Sequence, residues 1–555
     1  MKKFKIAGIL LSVCLIGTVF AGCSKKKTED TGKKMDKSPI TLSFYSVDLT
    51  KDDDFNNPVA KEITKKTGVT LKMEHPTAGD TTNAIALLIA GGDYPDMIYA
   101  KGDLSKLVDA GAVIKLDDYF EKYGSNLKKL YGDQFSRLKY SPDDPSIYTV
   151  GAYGVHKSTW DSGGVMQLQN AVLKEEGYPQ IKTANDYEKA IKTYLAKHPT
   201  IDGNKTIGIS LLGSDWRWLI TCGNPSGFAL GMPDDGQWSV NDETGEATYK
   251  FMVPAMRDYY KWMNKLNHEG LLDPESFTQK QDTYLAKISS GRVLGLMDQT
   301  WDYQEATRNL IKDNKAERAY ARLPVTLNSS YKDPELKYMG YTGGYGIAIS
   351  HKCKNPKRAF QFLDWMASDE AQVLNNWGIK GKNYVVKNGK RIVPAAEMQK
   401  KTSDKDYSLE TGVGQYVYPF PCQGDGVKDS TGNYYSTNSP ENYIASYSSA
   451  DKETLKAYGA KLWTDLMPSQ KELGTSKHGQ AYLYSVPSSS DLSLIQKKAD
   501  DYTQKAITQA ILTDPSKFDA AWDAIQAKLK SLGIEKANKE MTELTQKMMK
   551  LYGTK

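Results

Sequence analysis

The chain has 555 residues, 73 Lys or Arg against 67 Asp or Glu, a formal net charge of +6 and 5 cysteines. Nine lysines in the first 38 residues, set against Glu29, Asp30 and Asp36, account for that whole charge, so the remaining body is near neutral. A neutral body without a basic stripe excludes a nucleic-acid partner, which would need clustered Lys and Arg for phosphates. Its length exceeds what one core can serve and calls for two lobes or more.

Lys2, Lys3 and Lys5 precede an apolar run over residues 6–20, too short to span a membrane and stay, and Ala21-Gly22-Cys23 closes it before Ser24 and three lysines. This resembles a bacterial lipoprotein signal, although Phe20 departs from the usual leucine. The resemblance implies a signal peptide over 1–22 and a Cys23 thiol that takes a diacylglycerol, with palmitate, before becoming the new N-terminus. The chain is then extracytoplasmic and lipid-anchored to the cell membrane. Residues 23–39, polar and lysine-rich, read as a disordered tether. With Cys14 removed and Cys23 lipidated, Cys222, Cys353 and Cys422 remain, so at most one disulfide forms and no thiolate metal cluster is suggested.

Strand and helix patterns then alternate. Residues 40–47 read as a strand, Asn57-Pro58 opens a helix to Lys66, Gly68 ends it, and Val69, Leu71 and Met73 alternate as a second strand. Residues 84–90 read as an apolar helix, Gly91 to Pro95 as a turn, and 96–100 as a short strand. Such succession implies a mainly parallel sheet with ligands at the carboxyl ends of its strands, which directs attention to the loops after 40–47 and 97–100. Further on, 147–150 and 293–297 read as strands. Asn355-Pro356 starts a helix whose Ala359, Phe362, Leu363 and Met366 share one face, and Ser368 starts another that Gly378 stops with a left-handed residue. Trp365, Trp377 and Trp522 fall inside helical patterns and are expected in the core. Two final helices, with stripes through Phe518, Trp522, Ile525 and Leu529 and through Ala537, Met541, Leu544, Met548 and Leu551, predict a packed hairpin.

Catalytic signals are mostly absent: no phosphate loop, no Gly-x-Ser-x-Gly elbow, no Cys-x-x-Cys, and no second histidine after His268-Glu269. Paired carboxylates of a glycoside-active enzyme leave no reliable spacing in sequence, so that class stays open.

Several words of the sequence occur in an order that resembles the extracellular solute-binding proteins of carbohydrate ABC importers. They are Ala90-Gly91-Gly92-Asp93-Tyr94-Pro95-Asp96, then Gly111-Ala112-Val113-Ile114-Lys115-Leu116-Asp117-Asp118, then Ser290-Gly291-Arg292-Val293-Leu294-Gly295. Gly343-Gly344-Tyr345-Gly346-Ile347-Ala348-Ile349-Ser350 and the run from Asn355 through Ser368-Asp369-Glu370 to Trp377-Gly378-Ile379 follow. The resemblance implies an α/β, periplasmic-binding-protein-like fold: two α/β lobes joined by a hinge, a ligand cleft between them, and extra C-terminal helices. It places the first lobe at 40–150, the second at 151–295, a return to the first at 296–350, and a helical remainder at 351–555, mostly of the second lobe with cleft loops. It implies a monomer that captures a sugar and docks on ABC permease subunits driven by a cytoplasmic ATPase, with no enzymatic activity. Some members carry an acidic calcium loop near 199–208. Here that stretch reads Pro199-Thr200-Ile201-Asp202-Gly203-Asn204-Lys205-Thr206, with one carboxylate where several are wanted, so no calcium, other metal or cofactor is expected.

A sugar offers a flat C–H face and a ring of hydroxyls, so its sites pair Trp or Tyr platforms with planar polar side chains. Among 10 Trp and 35 Tyr, the clusters Ser214-Asp215-Trp216-Arg217-Trp218 and Asp298-Gln299-Thr300-Trp301-Asp302-Tyr303 stand out. The second follows a strand, where a parallel sheet exposes its ligand loop. By resemblance, that loop and Gly343-Gly344-Tyr345 border the solute. Trp160 and Tyr45 complete the expected ligand site, and Arg217 with Asp302 is equally readable as a structural ion pair. The added length, notably 407–475, favours an oligosaccharide over a monosaccharide. Two other classes stand beside this reading: a cell-surface glycoside-active enzyme, and a binder of peptide or another polar solute.

Overall fold

Asn57 and Pro58 set the first helix as their chemistry requires. The Asn57 side chain accepts from the Ala60 amide at 2.9 Å, proline stands where no amide is needed, and the helix runs Pro58–Thr67. Gly68, at φ 73°, ends it and turns the chain directly into the strand Val69–Glu74. The computed structural model describes residues 35–77, 83–152, 158–163, 166–340 and 344–554; the proposed leader, Cys23 and the tether to residue 34 lie outside the described residues.

Two sheets organise the chain. The first has the order Val69–Glu74, Ile40–Ser46, Met97–Tyr99, Gly346–Ile349, Thr149–Gly151. Its first three strands are parallel, and Gly346–Ile349 runs antiparallel to both of its neighbours. The second has the order Tyr320–Leu323, Met166–Gln169, Val293–Leu296, Ile207–Ser210; the last two are parallel and Met166–Gln169 opposes its neighbours. Met97 to Tyr99, Val293 to Leu296 and Met166 to Gln169 are buried throughout, as strands covered on both faces must be.

Each sheet anchors its own core. Phe44, Ile63, Leu71, Ile98 and Ile347 pack with Ala359, Phe362, Leu363 and Met366 of the helix Pro356–Met366, and with Tyr416 and Phe420. Tyr187, Ile191, Ile209, Trp262 and Met297 pack with Trp463, Ile507, Trp522, Leu529 and Met541, the last four from the C-terminal helices Asp491–Leu512, Phe518–Ser531 and Ile534–Tyr552. The boundaries read from the sequence therefore shift. Tyr320–Leu323 pairs with Met166–Gln169 and keeps residues 296–323 with the second sheet, so the return begins later than 296. The stretch 351–422 is not a second-lobe extension: its apolar helix faces fit the first core, and only the chain after it joins the second. Trp377 and Trp522 are buried, whereas Trp365 is half-buried at the edge of the first core. Gly378 ends its helix at φ 77° and ψ −146°, a glycine conformation other than the expected left-handed helical one, and a Cβ there would collide with Asn383 Oδ1. No helix of the described residues is long and apolar enough to cross a membrane.

The crossings between sheets fix where a ligand sits. Thr149–Gly151 leaves the first sheet at the carboxyl edge of its parallel strands. Met166, which starts a strand antiparallel to Val293–Leu296, enters the second sheet at its carboxyl edge. Tyr320–Leu323 leaves by that same edge, and Gly346, antiparallel to Met97–Tyr99, re-enters the first sheet at its carboxyl edge. Both connections thus run between the carboxyl edges of the two sheets, the edges at which parallel strands present their ligand loops.

Candidate ligand-binding cleft

On the second sheet, the parallel strands Ile207–Ser210 and Val293–Leu296 end side by side, with Ser210 opposite Leu296. Trp216, in the turn that follows the first, and Trp301, in the first turn of the helix Thr300–Lys312 that follows the second, are each 55% exposed, with nearly parallel rings (7°) and ring centres 6.2 Å apart. Two large rings left open to water at a strand-end edge are the least expected burial outcome for tryptophan in this molecule.

Their support is ionic and buried. The Arg217 guanidinium lies 4.6 Å from the Trp216 ring centre and donates from Nε to Asp302 at 2.9 Å, from Nη1 to Asp215 at 3.0 Å and from Nη2 to Gln281 at 2.9 Å. Its side chain is 16% exposed and that of Asp302 is 2% exposed. The ion pair read as an alternative from the sequence is therefore present, and it ties together the two segments that carry the rings. Asp298 is buried beneath them, accepting from the Tyr284 hydroxyl at 2.8 Å and the Gln299 amide at 2.6 Å. Burial, reinforced by the charge of Asp302, pushes its carboxyl well above the usual carboxylate range. The Gln299 side chain is half-buried and lies against Gly163, where a Cβ would collide with it.

Several expected ligand residues face inward instead. Trp218 is 4% exposed in the second core, with its indole Nε1 donating to Thr508 at 3.1 Å. Tyr303 is 3% exposed and packs edge to face on Tyr320 at 5.7 Å. Asp298 and Asp302 are likewise covered, so none of these four has surface to offer a solute; on the helix Thr300–Lys312, residues two apart point to opposite sides, so the turn that exposes Trp301 buries Tyr303. Trp160 is half-buried, edge to face on Tyr434 at 4.9 Å. Tyr45 is half-buried in the first lobe, opposite Glu74 and Ile98, and burial followed by the charge of Glu74 raises its hydroxyl. Tyr345 stands at the start of Gly346–Ile349 with its ring 6.2 Å from that of Tyr482.

The first sheet presents a different surface. Just past Ile40–Ser46 and Met97–Tyr99, Lys101 donates to Asp48 at 3.1 Å, and the Tyr418 hydroxyl donates to Asp48 at 2.7 Å while bonding the Tyr99 hydroxyl. Tyr418 is 38% exposed. Lys101 has φ 52°, a costly backbone conformation for a side-chain-bearing residue, held here at a strand end that faces the cleft. Asp48 and Lys101 lie in the two loops that the sequence points to, and Tyr418 reaches them from far along the chain. Tyr418 lies 370 residues from Asp48, so no spacing could reveal the pair.

Between the edges, segment 476–484 is pinned by His478, which is fully buried. Its Nε2 meets Asp235 at 3.0 Å and its Nδ1 meets Asp242 at 2.8 Å. Burial opposes its charge, but the hydrogen bonds and charges of the two aspartates prevail and hold the imidazolium up to about 9. Outside the cleft, residues 200–205 form a short hairpin in which the Asp202 carboxylate accepts from Lys315 at 2.7 Å. Among the described residues, no group of three or more His, Cys, Asp or Glu is arranged to hold a metal.

Two α/β lobes with facing strand-end edges and open aromatic rings are the architecture of a solute-binding protein. Residues 59–379 match the bacterial extracellular solute-binding protein family, and the chain belongs to that family. Among its relatives, the fructooligosaccharide ABC transporter substrate-binding protein FusA of Streptococcus pneumoniae serotype 4 is 25% identical over 409 residues, covering 68% of this chain and 72% of that protein. Lipoprotein LipO of Bacillus subtilis strain 168 is 24% identical over 452 residues, 77% of this chain and 82% of that one. The solved structure of S. pneumoniae FusA in complex with kestose superposes with a TM-score of 0.66 at 19% identity, covering 91% of this chain and 99% of that one.

Proposed function

We propose that this protein is a lipid-anchored, extracytoplasmic receptor that captures a neutral oligosaccharide and delivers it, as a monomer, to the permease subunits of an ABC importer. The observation that carries the reading is the pair of exposed, near-parallel rings of Trp216 and Trp301 at the carboxyl edge of the second sheet. A sugar ring buries its C–H face on such rings, and the hydroxyl and charged groups of Asp48, Lys101 and Tyr418 on the facing edge suit its hydroxyls. Neutrality follows from pairing. Arg217 is engaged by both Asp215 and Asp302, and Lys101 by Asp48, so neither of these cations is left unpaired for an anionic solute. The family relation and the oligosaccharide named for one relative support the same class.

Capture rather than catalysis fits the carboxylates. Asp48, Asp215 and Asp302 are each engaged by a cation, and Asp298 is covered, which leaves these four unlike the facing acid and base of a glycoside hydrolase. Closure of the lobes is driven by a ligand that binds the closed form better. The anchor rests on Ala21-Gly22-Cys23, and Cys23→Ala is expected to abolish lipid labelling and release the protein from the membrane or leave it unprocessed. Thermal unfolding against a panel of oligosaccharides, with product analysis of the same mixtures, tests the function. A ligand at about one hundred times its Kd should add about 2.7 kcal/mol with the sugar intact. Cleaved sugar would transfer the protein to the enzymes, and silence across the panel would point to peptides or other polar solutes.

A further inference from the structure

The hairpin of Val385–Lys387 and Lys390–Ile392 projects from the first lobe just after the helix Asp369–Trp377. Residues 380–405 hold eight Lys or Arg against Glu397 and Asp404, in a body after residue 38 that is neutral only when this segment is counted in it. Two of the eight have structural work: Arg391 forms a covered ion pair with Asp429, and Lys401 donates to Thr437 at 2.7 Å. The other six, Lys380, Lys382, Lys387, Lys390, Lys400 and Lys405, are exposed, and among the described residues none has a carboxylate within ion-pair distance. By contrast, Lys51, Lys66 and Lys129 on the same lobe are each paired.

Two aliphatic side chains stand open among these lysines, Val386 at 42% and Ile392 at 41% exposed. The hairpin that carries them is held in place. Asn388 and Gly389 make its tight turn at φ 50° and 76°, Asn433 donates to the Gly389 carbonyl at 2.8 Å, and the Arg391 amide donates to Asn433 at 2.9 Å. A fixed projection with aliphatic side chains among unpaired lysines has the composition that adsorbs to anionic headgroups.

We propose that this hairpin and its flanking lysines form a docking surface for an anionic lipid bilayer. The occupant follows from charge complementarity and from the tether: twelve residues from Cys23 to Met35 span at most about 40 Å, which keeps the lobe beside the membrane. The inference rests on the membrane-proximal reading above. It gives that location a second role, because the chain continues from the hairpin into the helix Ala395–Ser403, which packs against Thr300–Lys312, the helix whose first turn carries Trp301. A docked hairpin would hold that side of the cleft toward the membrane.

The test uses residues 35–555, whose cores are built from their own side chains and which lack Cys23 and every tether lysine but Lys37. Co-sedimentation with phosphatidylcholine vesicles, with and without about 30 mol% phosphatidylglycerol, is measured at ~0.1 M salt. Binding is expected only with phosphatidylglycerol, reduced about tenfold or more by the triple change Lys382→Glu, Lys387→Glu and Lys390→Glu, and a few-fold by Val386→Ser with Ile392→Ser. Wild-type protein that ignores phosphatidylglycerol, or a triple variant that binds as wild type does, overturns the proposal. The sugar-induced thermal shift of the triple variant, expected to equal that of wild type, separates this outcome from failure of the sugar reading.

Discussion

The two edges of the cleft are built on opposite plans. The second-sheet edge exposes hydrocarbon and hides charge: Trp216 and Trp301 stand open over an Arg217–Asp302 pair that water hardly reaches. The first-sheet edge leaves its polar groups in view, with Asp48, Lys101 and Tyr418 in one partly exposed network. Stacking needs rings fixed in orientation, which buried ionic support provides. Recognition of hydroxyls needs donors and acceptors that exchange water for ligand at small cost.

The sharpest way to break this comparison lies within one loop. Trp218→Ala, which empties a core site two residues from an exposed ring, is expected to lower unfolding free energy by about 3 to 5 kcal/mol in denaturant titration. A loss below 1 kcal/mol, on the order of a surface change, would refute its core placement. The junction between the edges gives the next effect. Because the His478 imidazolium is held up to about 9 from an ordinary 6.5, its contribution is complete below about pH 6.5 and is lost as pH rises through about 9. The difference in stability between wild type and His478→Gln should therefore shrink by about 3 kcal/mol over that window; a difference flat in pH would contradict the buried aspartate clamp.

Smaller effects separate binding from folding. Trp301→Ala should weaken sugar binding by about 1 to 3 kcal/mol while changing stability by less than about 0.5 kcal/mol. On the other edge, Tyr418→Phe, which removes the hydroxyl that donates to Asp48, should cost about 1 kcal/mol of affinity by calorimetry. If Tyr418→Phe costs affinity and Trp301→Ala does not, the division of roles between the edges is reversed.

Much of the fold was legible because local chemistry decided it. Asn57-Pro58 and Gly68 bounded a helix, Ala359, Phe362, Leu363 and Met366 marked one buried face, and the apolar run before Asp298 marked a strand, Val293–Leu296. For the candidate site, sequence reaches the segments and not the exposure of each side chain. After Ser214 the chain passes through irregular turns into a π-helical stretch, Leu219–Gly223, so no fixed period shows which of Trp216 and Trp218 faces water. Lobe membership of 351–422 was hidden for a related reason, since an amphipathic helix announces a buried face but not the core that receives it. The Asp48–Tyr418 contact required the tertiary structure itself.

The most direct test of the central claim is calorimetric titration of neutral oligosaccharides into wild type and the Trp216→Ala, Trp301→Ala double variant, with the sugar recovered and analysed afterwards. The account predicts saturable binding of intact sugar by wild type and a loss of at least about tenfold in a folded double variant. Equal affinity in the two proteins, or sugar recovered as cleaved product, would contradict it.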